Sequence, residues 1–247
     1  MPNKSDNIVA VTLRLVGVCI VLASLSAFAV ADSTLQPHVA EYKVKISVLG
    51  GKLNTELKAI DGGYVATHVV KATGLARMFA GGRISDASEF AIADSGIRPT
   101  RFESEDTITR DKTRATISFD WESGEARGTV NGEEYLLAME ELMHDRVSIQ
   151  YELMHDLLND RAVDEYLLFG VDKLRTVSIR KIGHRDVKVP AGSFTVVGIQ
   201  HQAVNSSRIT TFWCAEELGY LPVIIERHRD GELKMRATLK SYAPTQS

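Results

Sequence analysis

The stretch HVAEYKVKISV, residues 38–48, decides the fold class of this chain. It sets five apolar or aromatic side chains on one side and four polar ones on the other: Ala40, Tyr42, Val44, Ile46 and Val48 against Glu41, Lys43, Lys45 and Ser47. Strict alternation with a period of two predicts a β-strand with one buried and one solvated face. The glycines Gly50 and Gly51 that follow predict a turn into a second strand.

The same alternation recurs along most of the chain. It is clear in KLNTELKAI (52–60), YVATHVVKAT (64–73), TRATISFDWES (113–123) and GELKMRATLKSY (231–242). Residues suited to turns stand between such strands, as in Asp61-Gly62-Gly63, Val189-Pro190-Ala191-Gly192 and Asp230-Gly231. This pattern of short strands and tight turns predicts a succession of antiparallel hairpins.

Two segments depart from the alternating pattern. Residues 145–159 set Val147, Tyr151, Met154, Leu157 and Leu158 along one stripe behind Asp145. This spacing predicts a helix with Asp145 as its N-cap.

The second segment, GLARMFAGG (74–82), is too short for a stable isolated helix. Either Met78 and Phe79 plug the end of the core, or the segment forms an apolar lid that hinges on Gly74, Gly81 and Gly82. Apolar side chains in short segments are usually core, so a plug is favoured over a lid.

These patterns predict an all-β, mainly antiparallel fold with one helix near 145–159. A curled β-roll or open barrel is favoured, and a sandwich is the alternative architecture. No repeat, linker or low-complexity stretch interrupts residues 32–247, which are predicted to form a single domain.

The N-terminus has the pattern of a cleaved signal peptide. Lys4 and Arg14 precede an apolar run from residue 15 to residue 31, which ends in the small-x-small pattern Ala29-Val30-Ala31. These features predict cleavage after residue 31 and secretion. An uncleaved membrane anchor is the alternative, although the run is short for a span. Since Val18 precedes Cys19, lipoprotein processing is not expected.

The overall composition is that of an ordinary globular protein. The formal net charge of −3 gives no reason to expect nucleic-acid binding. Removal of residues 1–31 would leave Cys214 as the only cysteine, so no intramolecular disulfide is expected. No later segment is long and apolar enough to predict a membrane span after signal cleavage.

Several motifs, taken in order, carry a family resemblance. They are EYKVKISVLGGKL (41–53), SEFAIADSGIRPTRFES (88–104), DRVSIQYEL (145–153), the hairpin VPAGSF (189–194) and FWCAEELGYLP (212–222). Through them the chain resembles an exported bacterial family known only as domain of unknown function number 3108. The resemblance implies a periplasmic location in Gram-negative bacteria and a long, curled antiparallel sheet. It supplies no catalytic residues.

Cys214 is the first candidate for chemistry. A nucleophilic cysteine needs a nearby base or positive charge, and His201 and His228 lie on neighbouring predicted strands. Cys214 itself stands among aromatic and apolar residues without a catalytic signature. It is therefore interpreted as a buried strand residue.

No pattern predicts a metal, a cofactor or a catalytic site. His144 and His155 would lie about three helical turns apart, and a pairing of His184 with His201 across a hairpin is a weak case. The chain has no nucleophile elbow, dinucleotide fingerprint or phosphate loop. The sequence therefore favours a non-catalytic protein without excluding an enzyme.

A binding role has more support, because a curled sheet has a concave face that must be filled or occupied. Five apolar side chains are predicted to contribute to a ligand site: Met78, Phe79, Phe119, Trp121 and Trp213. The hypothesis is a periplasmic binding or envelope-assembly factor for an apolar or amphiphilic ligand or an envelope protein. The alternative is an enzyme that acts on a cell-envelope polymer.

Overall fold

Fifteen strands form one continuous sheet in the computed structural model, which describes residues 34–79, 81–109, 112–139, 141–170 and 173–245. The predicted signal peptide, with Cys19, lies outside the described residues, as does the side chain of Phe79. None of the described helices is long and apolar enough to cross a bilayer.

The strands follow each other at short intervals along the chain. They are β1 His38–Ile46, β2 Leu49–Ile60, β3 Gly63–Thr73, β4 Ile84–Ala93, β5 Gly96–Asp106, β6 Thr113–Asp120, β7 Glu125–Val130, β8 Glu133–Ala138, β9 Met143–His144, β10 Glu165–Gly170, β11 Lys173–Val189, β12 Gly192–Ala203, β13 Arg208–Ala215, β14 Leu221–Arg229 and β15 Glu232–Pro244. The helices are α1 Ala76–Phe79 and α2 Ser148–Leu158, and a 3₁₀ turn spans Glu216–Leu218.

The first and last strands pair in the middle of the sheet. The order is β8-β7-β6-β5-β4-β3-β2-β1-β15-β14-β13-β12-β11-β10-β9, so two meanders meet where β1 pairs with β15. All pairs are antiparallel except β9 with β10. The edge strands β8 and β9 form no ladder with each other among the described residues, so the sheet is open. The predicted antiparallel fold class is confirmed, with the one-turn helix α1 added.

The predicted alternation along β1 holds until the strand passes the end of the core. Ala40, Tyr42 and Val44 are buried, as their spacing indicates. Ile46 and Val48 belong to the same alternation but are 49% and 91% exposed. The prediction that they face the core is wrong because the β1–β2 turn carries them beyond the packed interior.

Aromatic packing brings the two ends of the open sheet together. The ring of Phe169, on β10, meets Phe119 of β6 at 5.8 Å and Tyr135 of β8 at 5.5 Å, both edge-on. It also meets Phe102 of β5 edge-on at 6.4 Å. These contacts join strands that share no hydrogen bond, and edge-to-face geometry is favourable for such rings.

Helix α2 packs against strands β4 and β5, and most of its first two turns are buried on every side. Ser148, Gln150, Glu152 and Asp156 are buried together with the apolar stripe. Stripe periodicity alone predicts a helix with a wet face, so the burial of these polar residues is a finding of the structure. With Tyr151, Met154 and aromatic rings from the strands, the helix belongs to a packed core.

Asp145 fixes the start of α2, as predicted. Its Oδ1 accepts the backbone N–H groups of Val147 at 2.7 Å and Ser148 at 2.9 Å. Its Oδ2 accepts the hydroxyl of Ser88, on β4, at 2.6 Å, and its own N–H donates to Ser148 Oγ at 2.9 Å. The same carboxylate therefore caps the helix and attaches it to the sheet.

Replacing Asp145 by Ala is expected to lower the free energy of unfolding by about 2 kcal/mol, since it removes the cap and leaves buried donors without an acceptor. Urea denaturation followed by circular dichroism measures the change. Asp61→Ala, in the exposed β2–β3 turn, is the matched control. Equal effects of the two substitutions would contradict the capping role.

Candidate binding groove beside helix α2

Three adjoining cavities form one groove beside α2. Two of about 220 Å³ share Arg161, Val163 and Tyr166. The third, of about 450 Å³, shares Lys181 and Tyr220 with the second. We call this continuous depression, from His144 to His184 past these shared residues, the α2 groove.

The floor of the groove is apolar and separate from the main core. Leu153, on α2, packs with three residues of β12 and β13, namely Val197, Ile199 and Cys214. Leu157, Ile179, Phe212 and Tyr220 pack at the margin of this cluster. The floor exists because the second half of α2 lies over strands β11–β13, which place small or aliphatic side chains there.

The wall beside α2 carries a network of charged and polar groups. Asp156 Oδ2 accepts the Tyr166 hydroxyl at 2.5 Å, and its Oδ1 lies 3.1 Å from Arg161 Nε. Arg161 also donates to the carbonyl of Ser95 at 3.0 Å. The guanidinium group therefore links the helix, the segment that follows it and the β4–β5 turn.

Glu152 is the other carboxylate of this wall and is almost fully buried. Its Oε2 accepts the backbone N–H of Ile97 at 2.5 Å, and Oε1 lies 3.8 Å from Arg161. Gly96 has a φ of 129°, and a side chain there would strike the Glu152 carboxylate. Burial raises the pKa of Glu152 to about 7, and this outweighs the opposing hydrogen bond from Ile97.

His144, at the end of β9, lines one of the two smaller cavities. Its ring lies edge-on to Tyr166 at 5.6 Å, and its Nδ1 has no hydrogen-bond partner among the described residues. Burial, with a smaller contribution from Arg161, lowers the pKa of His144 to about 3, so the ring is neutral.

The side chains predicted from sequence to bind a ligand do not gather at this groove. Phe119 is in the main core, and Met78 is exposed on α1. Trp121 donates to the carbonyl of Pro99 at 2.7 Å. Trp213 donates to Glu226 at 3.1 Å and lies under the guanidinium group of Arg185, 3.5 Å from the ring centre. A ligand-binding role for these residues and for Phe79 stays a prediction.

Other sequence interpretations have clear outcomes in the structure. Cys214 is a buried strand residue, as predicted, and burial raises the pKa of its thiol. His144 lies on β9 rather than on the helix. His184 and His201 do not meet, because His184 faces Val197 and His201 faces Ile179 across the hairpin.

The plug interpretation is wrong for Met78, whose side chain is mostly exposed, and its Phe79 part lies outside the described side chains. No three potential metal ligands come together within the described ranges.

The sequence did not indicate the groove. Its residues come from α2, the segment 159–166 and strands β11–β13, which are distant in the chain. The sequence feature that points to the groove is the pair of carboxylates at positions 152 and 156, one turn apart on the predicted helix. The helix itself was predicted from its apolar stripe. Their burial depends on the curl of the sheet, which strand alternation does not specify.

The fold and groove define a class of protein: an open, curled antiparallel sheet with a packed interior, a buried helix and a groove beside it. Within that class, the chain belongs to the family described as proteins of unknown function, DUF3108, whose model matches residues 38–238. No curated protein is a detectable relative of the chain.

A solved structure shares the general fold. A β-barrel-like protein of the domain of unknown function DUF1849 from Brucella abortus aligns with a TM-score of 0.59 and 13% identity, over 86% of this chain and 99% of that one. It is similar in fold alone.

A Bacteroides fragilis protein described as exported, with a YmcC-like fold, aligns at a TM-score of 0.35 and 11% identity, over 85% and 97% of the two chains. A Parabacteroides distasonis protein described as a lipoprotein aligns with a TM-score of 0.31 and 10% identity, over 85% of this chain and 96% of that one.

Glu152 generates a pH-dependent prediction. Its folded pKa of about 7 lies above the ordinary value of 4.5, so the folded chain holds this proton more tightly than the unfolded chain. The contribution of Glu152 to stability is therefore present at low pH and is lost as the pH rises from about 4.5 to about 7. Glu152→Gln, which stays neutral, is expected to gain about 2 kcal/mol relative to the wild type between pH 5 and pH 8.

Denaturant titrations of both proteins at the two pH values measure this difference. Glu232→Gln is the control, because a surface hydrogen bond from Lys234 lowers the pKa of Glu232 and places its titration below this range. If the difference in free energy of unfolding between the wild type and Glu152→Gln does not change with pH, the raised pKa of a buried Glu152 is contradicted.

Proposed function

We propose that the protein is exported to the periplasm and acts there as a non-catalytic binding factor for an amphiphilic molecule of the cell envelope. The α2 groove is the binding site. Export is supported by the charged start, the apolar run to residue 31 and the Ala29-Val30-Ala31 pattern.

The observation that carries this proposal is the pairing of an apolar floor with charged walls in one groove. Leu153, Leu157, Ile179 and Ile199 offer a surface for hydrocarbon, and the Asp156–Arg161 pair lies beside them. Ligand sites usually combine a mainly apolar lining with a few placed polar groups. The filled interior directs the ligand to this groove, because the concave face is occupied by the protein's own core.

The charges of the groove favour a ligand with an amine in its head group. Six acidic side chains line its two smaller cavities, against the cations Arg161 and Lys181: Glu141, Glu152, Asp156, Asp160, Asp164 and Glu165. A protonated amine donates hydrogen bonds to carboxylates and balances their excess negative charge. An envelope protein that inserts an apolar segment with a basic end would satisfy the same groove.

An enzyme acting on an envelope polymer is the second candidate, and Glu152 is the observation that favours it. A carboxyl group with a pKa near 7 beside a cavity is suited to general acid–base catalysis near neutral pH. The neutral His144 and the Tyr166 hydroxyl line the same cavity. Chemical conversion of a bound molecule would indicate an enzyme, whereas release of the molecule unchanged would indicate a binding protein.

Filling the groove tests the binding site. Ala162 is exposed on its wall, so Ala162→Trp narrows the groove without disturbing the core. Isothermal titration calorimetry with lysophosphatidylethanolamine below its micellar concentration is expected to show binding to the wild type. Affinity is expected to fall by about tenfold or more in the Trp variant, because the apolar contact area is lost.

Ala59→Trp is the matched control, since Ala59 is also exposed but lies outside the groove, and this variant is expected to bind as the wild type does. Failure of the wild type to bind, or equal binding by the Ala162 variant, would overturn the proposed site. Mass spectrometry of the titrated mixture completes the test: release of a fatty acid would replace the binding function by hydrolysis of the bound lipid.

A further inference from the structure

Six exposed apolar side chains cluster at the end of the sheet where β1 turns into β2. They are Ile46, Val48, Leu49, Leu75, Met78 and Leu233, which we call the apolar rim. Their exposure ranges from 46% for Leu49 to 91% for Val48. Single exposed apolar residues are common on proteins, but a contiguous group marks an interaction surface.

The strand register shows that the rim is contiguous. Ile46 pairs with Leu49 on β2 and with Met235 on β15, and Leu233 lies at the adjacent tip of β15, just beyond a register shift between β14 and β15. Gly50 pairs with Thr73, after which the chain enters α1 with Leu75 and Met78. The tips of four neighbouring strands, β15-β1-β2-β3, therefore present one apolar surface.

A row of lysines crosses the outer face just behind the rim. Lys43 pairs in register with Lys52, and Lys52 pairs with Lys71. Like charges at directly opposed positions destabilise a sheet, so the row costs the fold some stability. Lys45 lies between this row and Ile46, and Arg77 lies on α1 inside the rim.

The positive charge of this surface is only partly compensated. Lys52 forms an ion pair with Glu41, whose other oxygen binds Lys240. Lys43, Lys45 and Lys71 have no ion-pair partner among the residues that the structure describes. At the edge of the rim, Lys234 binds Glu232, which leaves that pair neutral. The region behind the rim is therefore net positive in a chain whose net charge is negative.

We propose that the apolar rim and its lysine row dock the protein onto an anionic phospholipid membrane. Lys43 lies three residues behind Ile46, which is about 10 Å along a strand. Apolar side chains of surface-bound proteins enter a bilayer to a depth of about 5–10 Å. Insertion of the rim to this depth brings the lysines level with the lipid phosphates.

The charge pattern favours a lipid surface over a second copy of this chain. Two copies joined rim to rim would bring their lysine rows towards each other, and like charges brought together oppose association. An anionic membrane instead offers many phosphates that mobile lysine side chains can reach without a fixed register. The rim shares no residue with the α2 groove, so this inference stands or falls independently of the proposed function.

Co-sedimentation of the full chain with phosphatidylglycerol vesicles, compared with phosphatidylcholine vesicles, tests the proposal. The wild type is expected to bind the anionic vesicles more tightly, and salt is expected to weaken that binding. Val48→Ser combined with Met78→Ser is expected to reduce binding by about tenfold or more, because apolar contacts with the bilayer are lost. All variants carry the same residues 1–33, so differences among them report on the rim.

The charge contribution is measured with Lys43→Gln combined with Lys71→Gln. This variant is expected to bind anionic vesicles about fivefold more weakly per lysine removed. Lys58→Gln with Lys188→Gln is its matched control, because both lysines are exposed away from the rim. Leu136→Ser with Val204→Ser is the control for the apolar substitutions, since both side chains are exposed elsewhere. Both control variants are expected to bind as the wild type does.

Three results would overturn the proposal. One is equal binding of the wild type to neutral and anionic vesicles, and another is unchanged binding by the rim variant. The third is a concentration-dependent dimer in sedimentation velocity that the rim variant abolishes, since it would assign the surface to a second copy of the chain.

Discussion

The buried polar side of helix α2 is the constraint on which the rest of the structure depends. A helix that packs against a sheet normally leaves its polar side in water, because an unpaired buried carboxylate is costly. Here the curled sheet supplies the missing partners: Ser88 binds Asp145, and the backbone of Ile97 binds Glu152. The helix is stable in this position only while the strands that carry those groups remain curled around it.

The open edge of the sheet follows from the same arrangement. Strands β8 and β9 need not pair with each other, since the helix and the ring contacts of Phe169 already hold the two meanders together. The helix fills the concave side, and Leu153 and Leu157 pack over β11–β13 along the floor of the groove. The proposed binding site and the packed interior are thus two consequences of one buried element.

The sequence was sufficient for elements that depend on local patterns. Alternation predicted the strands, and turn residues predicted the hairpins. Asp145 was correctly identified as the residue whose carboxylate accepts the first N–H groups of α2, the only long helix among the described residues. It was insufficient where the outcome depends on the curl of the sheet. Ile46 stands at a position where the alternation predicts a core residue, and it is exposed. Glu152 is of a charged type that is usually found at the surface, and it is buried. Contacts between distant elements determine which side chains of a strand or helix are exposed to water. The local patterns of a single sequence do not specify those contacts.

Native-state hydrogen exchange of the amides in residues 149–158 tests the central claim most directly. If α2 is the element around which the sheet is built, these amides exchange only when the whole protein unfolds, together with those of β1, β14 and β15. Their free energies of exchange are then equal and fall by the same amount in Asp145→Ala. Exchange of the α2 amides through a local opening, at much lower free energy than the central strands, would show that the sheet keeps its curl without the helix and would contradict the account.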